Sequence, residues 1–489
     1  MFKPEIIIGP PGCGKTHALL DRVAKAITAG VQPDRIGYMA FTRKAANEAV
    51  ERASERFNAD LPYFRTLHSI AFRALGLKKS QTLNTEAIRN FGEIMGIRIT
   101  GKVNAEDGNV YGSSVGDRAL FISGLSRIRC VSLEEQWHES PEDTTWFEVE
   151  RIHRGLGKFK KSRGLIDFTD MLGRYITSVV PPDLDLLVVD EAQDLSKLQW
   201  KMVEKMATKA KVTVVAGDDD QAIFRWAGAD IEYFINLTGE VKVLDQSYRT
   251  PISVQKQADK IIVDVKDRRE KVWKSREEEG TVSFHTRPDA MDMSEGTWLI
   301  LARNEYLLDE VEEHCRRQGF IYDRGQRRSV SAKTLATIRG WEELRKGGHV
   351  TAVTARDILR MMDRTTRKLP ESGDLTMSDL HVGWGTPSSE IWHEAFTKMS
   401  LIERTYLLAA LRRGEKTTKR PRIQLSTIHS AKGGEAENVV LYLDMARRTY
   451  NEMLKNREDE QRVFYVGVTR TINNLYIISP RTKFYFPMA

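Results

Sequence analysis

The sequence predicts an α/β protein in two halves, each with a parallel sheet flanked by helices and interrupted by a mainly helical insertion. Short apolar runs typical of buried strands alternate with helical patterns over residues 1–76, and the alternation resumes near residues 164 and 421. Such alternation is typical of a doubly wound parallel sheet. Two polar, helix-rich stretches, residues 77–163 and 325–420, break it. Because 489 residues are too many for one hydrophobic core, we expect several domains.

The first predicted strand and helix are joined by a glycine-rich loop. The apolar run at residues 6–8 is followed by Gly9, Pro10, Pro11, Gly12, Cys13, Gly14, Lys15 and Thr16. The spacing G-x-x-x-x-G-K-[ST] is that of a P-loop, in which backbone N–H groups and a helix N-terminus surround a polyphosphate. Lys15 would reach the β- and γ-phosphates, and the Thr16 hydroxyl would bind Mg²⁺. A chance glycine-rich turn is the alternative, but the strand–loop–helix context favours a nucleoside triphosphate site.

The next elements continue this pattern. A second strand is predicted over residues 35–42, with Thr42 as the N-cap of a helix over residues 43–52. A third short strand and turn over residues 64–69 lead into another helix. After the first insertion, a helix that begins at Asp167 returns the chain to the sheet.

Two acidic residues end the next predicted strand. Asp190 and Glu191 follow residues 184–189, a run with five apolar residues among six. At the carboxyl end of a parallel strand beside a P-loop, Asp190 can hold Mg²⁺ through water, and Glu191 can orient and polarise an attacking water. The alternative is a solvated acidic pair on the surface.

A further strand over residues 212–218 leads into an acid-rich turn that contains Gln221, Phe224 and Trp226. Gln221 could sense the γ-phosphate, and Trp226 could stack on an unpaired base. A core tryptophan beside a solvated turn is the alternative. The residues of this stretch by themselves leave both interpretations open.

The second half repeats the alternation with different spacing. The basic run at residues 412–422 is either a solvated linker or a phosphate contact. The predicted elements are strands over residues 297–303, 319–323, 423–429, 439–444 and 474–478, and helices over residues 307–318 and 458–469.

Composition narrows the class of protein. The net charge of +7 favours a polyanionic partner such as nucleic acid. Three widely separated cysteines argue against a disulfide framework or a cysteine-rich metal site and suit a reducing cytoplasm. No apolar run approaches membrane-spanning length, so we expect no membrane association. The P-loop begins at residue 9, and we therefore expect no cleaved leader.

The ordered set of motifs resembles superfamily 1 DNA helicases of the UvrD/Rep/PcrA type, in a compact form, over nearly the whole chain. The motifs that carry the resemblance are GPPGCGKT at 9–16, AFTRKAANEAVER at 40–52, TLHSIAFRAL at 66–75, DFTDML at 167–172, VVDEAQD at 188–194, AGDDDQAIFRWAGAD at 216–230, LDQSYRTP at 244–251, LSTIHSAKGGEAENVVL at 425–441 and EDEQRVFYVGVTR at 458–470.

The resemblance implies two RecA-like P-loop NTPase domains, with ATP and Mg²⁺ in the cleft between them and single-stranded DNA across both. The first domain would comprise residues 1–76 and 164–245 around the insertion at 77–163. The second would comprise residues 246–324 and 421–489 around the insertion at 325–420.

The resemblance also implies roles for individual residues. Catalytic roles fall on Asp190, Glu191, Gln221, Arg249 and Arg470, the two arginines facing the γ-phosphate. Besides residues 9–16, the nucleotide contacts are His17 beside the base, Tyr248 stacked on adenine, and Glu435 near the sugar. The residues expected to contact DNA are Thr42, His68, Phe224, Trp226, Thr427 and His429.

The sequence departs from the family pattern at several positions. His17 stands where an arginine beside the base is common, and no glutamine that could read adenine precedes Gly9. Leu67 replaces a frequent aromatic, and Gly434 replaces the usual leucine of the KGLE-type motif. The second insertion is shorter than is usual in the family.

We therefore expect an ATP-dependent DNA helicase or translocase that moves on single-stranded DNA, by resemblance 3′ to 5′, in DNA repair, replication or recombination. Expected partners are single-stranded DNA, junctions of single- and double-stranded DNA, and repair or replication proteins. One alternative is a translocase that displaces proteins with little unwinding, which the short second insertion favours. The other is a DNA-binding accessory subunit switched by ATP, which would have no need of a hydrolytic acid.

Overall fold

The computed structural model describes residues 2–57, 60–104, 109–140, 144–325, 327–362, 368–415 and 420–488. By packing, the chain divides into a first unit of residues 1–279 with 453–469 and a second unit of residues 280–452 with 470–489. Part of the predicted basic run, residues 416–419, lies outside the described residues.

The first unit contains β1 to β8, α1 to α11 and α19. The strands are β1 (Glu5–Ile8), β2 (Ile36–Ala40), β3 (Tyr63–Thr66), β4 (Lys102–Val103), β5 (Val110–Tyr111), β6 (Leu184–Val189), β7 (Ala210–Gly217) and β8 (Glu240–Val243). The helices are α1 (Lys15–Thr28), α2 (Arg43–Phe57), α3 (Leu67–Ala74), α4 (Thr85–Met95), α5 (Val115–Arg129), α6 (Leu133–Glu139), α7 (Trp146–Arg163), α8 (Phe168–Ser178), α9 (Lys197–Ala207), α10 (Ile231–Ile235), α11 (Ile252–Ile262) and α19 (Arg457–Val468).

The remaining elements follow residue 280. The strands are β9 (Thr281–His285), β10 (Trp298–Ala302), β11 (Tyr322–Arg324), β12 (Arg327–Arg328), β13 (Val350–Thr351), β14 (Asp374–Leu375), β15 (Ile423–Thr427), β16 (Ala436–Tyr442) and β17 (Thr471–Ile478). The helices are α12 (Asp309–Gln318), α13 (Ala332–Arg345), α14 (Ala352–Met361), α15 (Met377–Trp384), α16 (Trp392–Ala395), α17 (Leu401–Arg412) and α18 (Arg447–Lys455).

The main sheet of the first unit has the strand order β3-β2-β6-β7-β1-β8, and all its pairings are parallel. Alternate residues of β1 enter different cores: Ile6 and Ile8 pack on one face, and Ile7 packs against α1 on the other. Because β6, β7 and β1 are parallel neighbours in this order, their carboxyl ends meet at one edge of the sheet. This topology confirms the predicted doubly wound fold.

The first insertion is mainly helical, as predicted, and has its own core. The buried residues of α4, α5 and α7 form one cluster that includes Phe91, Leu120 and Ile152. Arg127 of α5 binds Asp167, the N-cap of α8, at 2.6 Å, and Lys160 of α7 also binds Asp167. Burial would raise the pKa of Asp167, but Arg127 and Lys160 outweigh it and hold that pKa below its usual range. The ion pairs therefore tie the insertion to the helix that re-enters the sheet.

The sheet of the second unit has the order β12-β11-β15-β10-β16-β17-β9. Its pairings are parallel except that of β11 with β12. The helices of the second insertion share one apolar cluster with this sheet, and Trp341, Leu359 and Phe396 contribute to it. No described helix is long and apolar enough to cross a membrane.

The structure differs from the predicted elements in a few places. The third strand ends at Thr66, and residues 67–69, predicted as part of a strand and turn, are the first residues of α3. Thr66 is the N-cap of this helix, because its hydroxyl accepts a hydrogen bond from Ser69 N at 3.3 Å. His68 therefore lies on a helix. The edge strands β8 and β9 were not predicted. The residues of β8 are exposed, those of β9 are exposed or half-buried, and neither strand has a continuous apolar run.

Candidate nucleotide and nucleic-acid sites

The predicted P-loop, residues 9–14, joins β1 to α1 and curls around its own lysine. Gly14, the N-cap of α1, has φ 78°, in the left-handed region that favours glycine. Lys15 is buried, and its Nζ donates to Gly9 O at 2.7 Å and Pro10 O at 3.2 Å. His17 is exposed, with Nε2 3.6 Å from a carboxylate one turn later on α1. The loop thus holds a cation and a helix N-terminus at the same edge of the sheet as Asp190.

The P-loop threonine and the strand-end aspartate meet directly. Thr16 Oγ1 donates to Asp190 Oδ2 at 3.2 Å, Tyr38 OH donates to the same oxygen at 2.6 Å, and Glu191 N donates to Asp190 Oδ1 at 2.9 Å. Burial and the charge of Glu191 raise the pKa of Asp190 to about 6. A hydroxyl and one carboxylate are suitable oxygen ligands for an Mg²⁺ that also binds phosphates. The described residues contain no group of three or more His, Cys, Asp or Glu side chains that could hold a metal ion.

Glu191 lies in the turn that follows β6 and precedes a short 3-10 helix, Ala192–Asp194. Its φ of 53° is in the left-handed region, an unfavourable conformation for a non-glycine residue that the surrounding structure must hold in place. Gln193 Nε2 donates to Glu191 Oε2 at 2.5 Å, and Gln193 Oε1 accepts from Asp218 N at 3.0 Å. Asp218 Oδ2 in turn accepts from Gln221 Nε2 at 2.7 Å. A continuous series of polar contacts therefore links the predicted hydrolytic acid to the predicted γ-phosphate sensor.

The acidic turn after β7 is buried and is balanced by basic residues of the same unit. Lys271 Nζ lies 3.1 Å from Asp218, 2.6 Å from Asp219 and 2.9 Å from Asp220, and its side chain is fully buried. Arg268 Nε donates to Asp220 at 2.9 Å. Burial would lower the pKa of Lys271, but attraction from the three aspartates raises it above its usual value. Lys271 therefore remains charged, and the solvated turn considered as an alternative is not what the structure shows.

The segment with Tyr248 and Arg249 rests on the P-loop. Ser247 Oγ donates to Pro11 O at 2.7 Å, and Tyr248 N donates to Gly12 O at 2.9 Å. Gly12 has φ 72°, and a Cβ there would lie 2.4 Å from Arg249 Cβ, so both its conformation and the available space require glycine. The Tyr248 side chain is 73% exposed. It is thus positioned next to the loop and remains available to a flat ligand.

The other predicted nucleotide residues lie in the second unit. Arg470 is buried, and its Nη1 donates to Gly434 O at 3.4 Å, beside the exposed Glu435. Thr427 ends β15, and His429 is half-buried in the turn that follows. The structure brings Arg470 and Glu435 close together, and their roles toward a nucleotide stay a prediction.

His68 lines a groove of about 650 Å³ at the carboxyl end of β3. Its ring meets Phe168 edge-on, with centroids 5.2 Å apart. Thr42, in the same unit, caps α2, and its hydroxyl accepts a hydrogen bond from Ala45 N at 3.1 Å. The groove combines aromatic rings with basic and hydroxyl groups, and its other lining residues include Phe64, Arg65, Thr66, Phe72 and Lys79. Such a lining suits bases and phosphates together.

Trp226 is not a core residue, since 48% of it is exposed. Its ring meets Tyr111 of the first insertion edge-on, at a centroid distance of 5.5 Å. Phe224 lies inward, with its ring 5.6 Å from Phe41. The insertion thus supports the ring of Trp226 and leaves part of it accessible.

The sequence alone did not point to three residues that bond near the P-loop and the acidic strand ends: Tyr38, Gln193 and Lys271. Gln193 had a signal, because it is two residues from Glu191 in the same motif. Tyr38 appears only as one apolar residue of a strand, and Lys271 as one charge in the basic and acidic stretch before β9.

Comparison with known proteins identifies two family domains in the chain. Residues 2–242 match the UvrD/REP helicase N-terminal domain, and residues 386–482 match the UvrD-like helicase C-terminal domain. The ATP-dependent DNA helicase PcrA of Staphylococcus aureus is 25% identical over 362 residues, which cover 70% of this chain and 47% of that protein. PcrA of Staphylococcus epidermidis is 26% identical over 334 residues, which cover 64% and 44%. The chain spans about half the length of these curated relatives.

Among solved structures, one described as the structure of PRRSV helicase aligns with 99% of this chain and 55% of its own, at 10% identity and a TM-score of 0.35.

Proposed function

This chain belongs to the UvrD/REP helicase family, and from that premise we propose that it is an ATP-dependent motor that moves along single-stranded DNA. The strongest support is the series of contacts from Glu191 through Gln193 and Asp218 to Gln221, next to a P-loop. A nucleotide switch without hydrolysis has no need of an oriented acid coupled to a γ-phosphate sensor.

In the proposed mechanism, backbone N–H groups of the P-loop and Lys15 bind the β- and γ-phosphates of ATP. Thr16 and Asp190 hold Mg²⁺, which when bound offsets the charge of the phosphates. Glu191 orients the attacking water and accepts its proton, while Gln221 contacts the γ-phosphate. Arg249 and Arg470 stabilise charge on the transferring phosphoryl group. Gly9 to Gly14, His17, Tyr248 and Glu435 complete the nucleotide contacts.

Single-stranded DNA is proposed to follow the groove at His68 and to stack on Trp226, with Thr42, Phe224, Thr427 and His429 as further contacts. The lining of the groove supplies both rings and cations, and the net charge of +7 favours a polyanion. We extend the proposal to 3′-to-5′ movement, to unwinding at junctions of single- and double-stranded DNA, and to a cytoplasmic role in repair, replication or recombination alongside other proteins of those pathways. The six-segment domain division given above belongs to the same proposal.

The first test is steady-state ATP hydrolysis by the pure protein, with and without long single-stranded DNA, at two salt concentrations. The motor proposal predicts strong stimulation by DNA that weakens as salt rises, because phosphate contacts release counterions. Hydrolysis that is indifferent to DNA would contradict it. Absence of multiple turnover would instead support the accessory-subunit alternative.

A second test separates unwinding from translocation. A strand-displacement assay and a streptavidin-displacement assay are run on DNA with a 3′ or a 5′ single-stranded tail. Displacement of streptavidin without strand separation would favour the translocase alternative. Activity limited to DNA with a 5′ single-stranded tail would refute 3′-to-5′ movement.

A further inference from the structure

The hydroxyl of Tyr38 reaches Asp190 from the neighbouring strand. Tyr38 occupies the middle of β2, in register with Val188 on β6. Its side chain is 1% exposed, and its OH lies 2.6 Å from Asp190 Oδ2. The ring stacks on Phe64 of β3, with centroids 5.0 Å apart and an interplanar angle of 26°. Two strands thus aim a single polar atom of a large buried side chain at the predicted metal ligand.

The direction of this hydrogen bond follows from the chemistry of its two groups. The phenol O–H of Tyr38 donates, and the carboxylate oxygen Asp190 Oδ2 accepts. The rest of the ring lies in an apolar cluster with Leu20 and Val188. A hydroxyl left without an acceptor there would lose its hydrogen bonds to water with nothing in exchange, which favours its pairing with the carboxylate.

Both oxygens of the Asp190 carboxylate are thereby oriented. Oδ1 accepts from Glu191 N at 2.9 Å, and Oδ2 accepts from Thr16 and Tyr38. Thr16 is itself an expected metal ligand, so its hydroxyl oxygen must turn toward Mg²⁺ when the metal binds. Tyr38 is not a ligand in this arrangement. Its bond can persist through metal binding and keep the carboxylate in one orientation.

We propose that Tyr38 is a positioning residue for Mg²⁺ whose hydroxyl holds the Asp190 carboxylate in the orientation that binds the metal with the nucleotide. This inference rests on the proposed ATP site and adds a residue that the P-loop and acidic motifs do not include. Hydrogen bonds to ligating carboxylates commonly change metal affinity by about 10–100-fold when removed.

The test is a Mg²⁺ titration of the binding of a fluorescent ADP (mant-ADP) to the full chain, comparing wild type with Tyr38→Phe. The phenylalanine keeps the stack on Phe64 and removes only the hydroxyl. We expect the Mg²⁺ midpoint to rise at least about tenfold, while the affinity for mant-ADP in EDTA stays unchanged. The matched control is Tyr175→Phe, which removes another fully buried tyrosine hydroxyl of the same unit, on α8, and should leave the midpoint at its wild-type value.

The outcomes are distinct. A folded Tyr38→Phe protein with a wild-type midpoint would overturn the inference, as would equal shifts in Tyr38→Phe and Tyr175→Phe. If Tyr38→Phe does not fold, Tyr38→Met offers a flexible apolar replacement and the same shift is expected. Failure of both to fold would show a structural role and overturn the inference. If the affinity of the wild-type protein for mant-ADP does not depend on Mg²⁺, the result would instead contradict the proposed ATP site itself.

Discussion

Two regions of the first unit differ in how much of their bonding is completed within the protein. At the phosphate edge, Lys15, Asp190 and Gln193 are buried or nearly so and bonded to other protein groups at 2.5–3.2 Å. At the proposed DNA face, Trp226 is 48% exposed, and the groove beside His68 is open over about 650 Å³. The fold therefore preorganises the proposed chemistry, whereas the proposed DNA binding depends on contacts that the ligand itself would complete.

The same difference determines how each region should respond to mutation. Removing one partner from a buried charged cluster leaves the other charges unbalanced, which costs more than the intact pair contributes. Removing an exposed ring or cation leaves no such unpaired group. Substitutions at the phosphate edge should therefore have larger effects, and some should act on stability.

The largest effect is expected for Lys271→Met. This change leaves Asp218, Asp219 and Asp220 without their central cation, and it should destabilise the protein by about 3–5 kcal/mol. Urea unfolding measures the loss. The control is Lys274→Met, whose side chain is 72% exposed and lies 3.7 Å from Asp245, and which should change stability little. Similar stability of both variants would remove the distinction between the two regions.

Glu191→Gln should retain ATP binding and lower turnover by at least about a hundredfold, or on the order of 3 kcal/mol in activation free energy. The amide keeps the shape and the contact with Gln193 but can no longer accept a proton. Steady-state hydrolysis and equilibrium binding of a fluorescent ATP analogue check the two parts separately. Near-normal turnover would refute the role proposed for Glu191.

Trp226→Ala should weaken binding of a single-stranded oligonucleotide by about 1–3 kcal/mol, because one stacked base loses its platform. Fluorescence anisotropy with labelled oligo(dT) measures the affinity. Phe147→Ala removes an aromatic side chain that is 70% exposed on α7 and serves as the control. Equal losses in the two variants would argue against a specific stacking site at Trp226.

The smallest effect is expected at the groove. Lys79→Ala should lower DNA affinity a few-fold and reduce the slope of log Kd against log salt concentration by about 0.7, the value for one phosphate contact on a single strand. Lys78→Ala removes an adjacent exposed cation that does not line the groove and should leave the slope nearly unchanged. A reversed pattern would place the phosphates elsewhere.

Much of the proposed site follows from short stretches of sequence. The loop at residues 9–16 was predictable because its glycine and lysine spacing is local, and Asp190 because it directly follows a buried strand. Trp226 shows where this reasoning ends. Its own stretch left a core residue and a stacking residue equally open, and only the packing of Tyr111 from the first insertion shows a supported, half-exposed ring. The edge strands β8 and β9 were missed because their residues lack an apolar run.

The α/β class, the two halves with helical insertions, the P-loop and the acidic strand end were predictable because each depends on residues close together in the chain. The partners of those groups depend on the tertiary structure. Tyr38 and Asp190 are 152 positions apart, and Lys271 and Asp219 are 52 apart. Such pairs depend on which strands become neighbours and in what register, and on which segment packs behind the sheet. A strand's own periodicity sets which side chains point to each face, but it carries no information about the residue that will meet them from another strand.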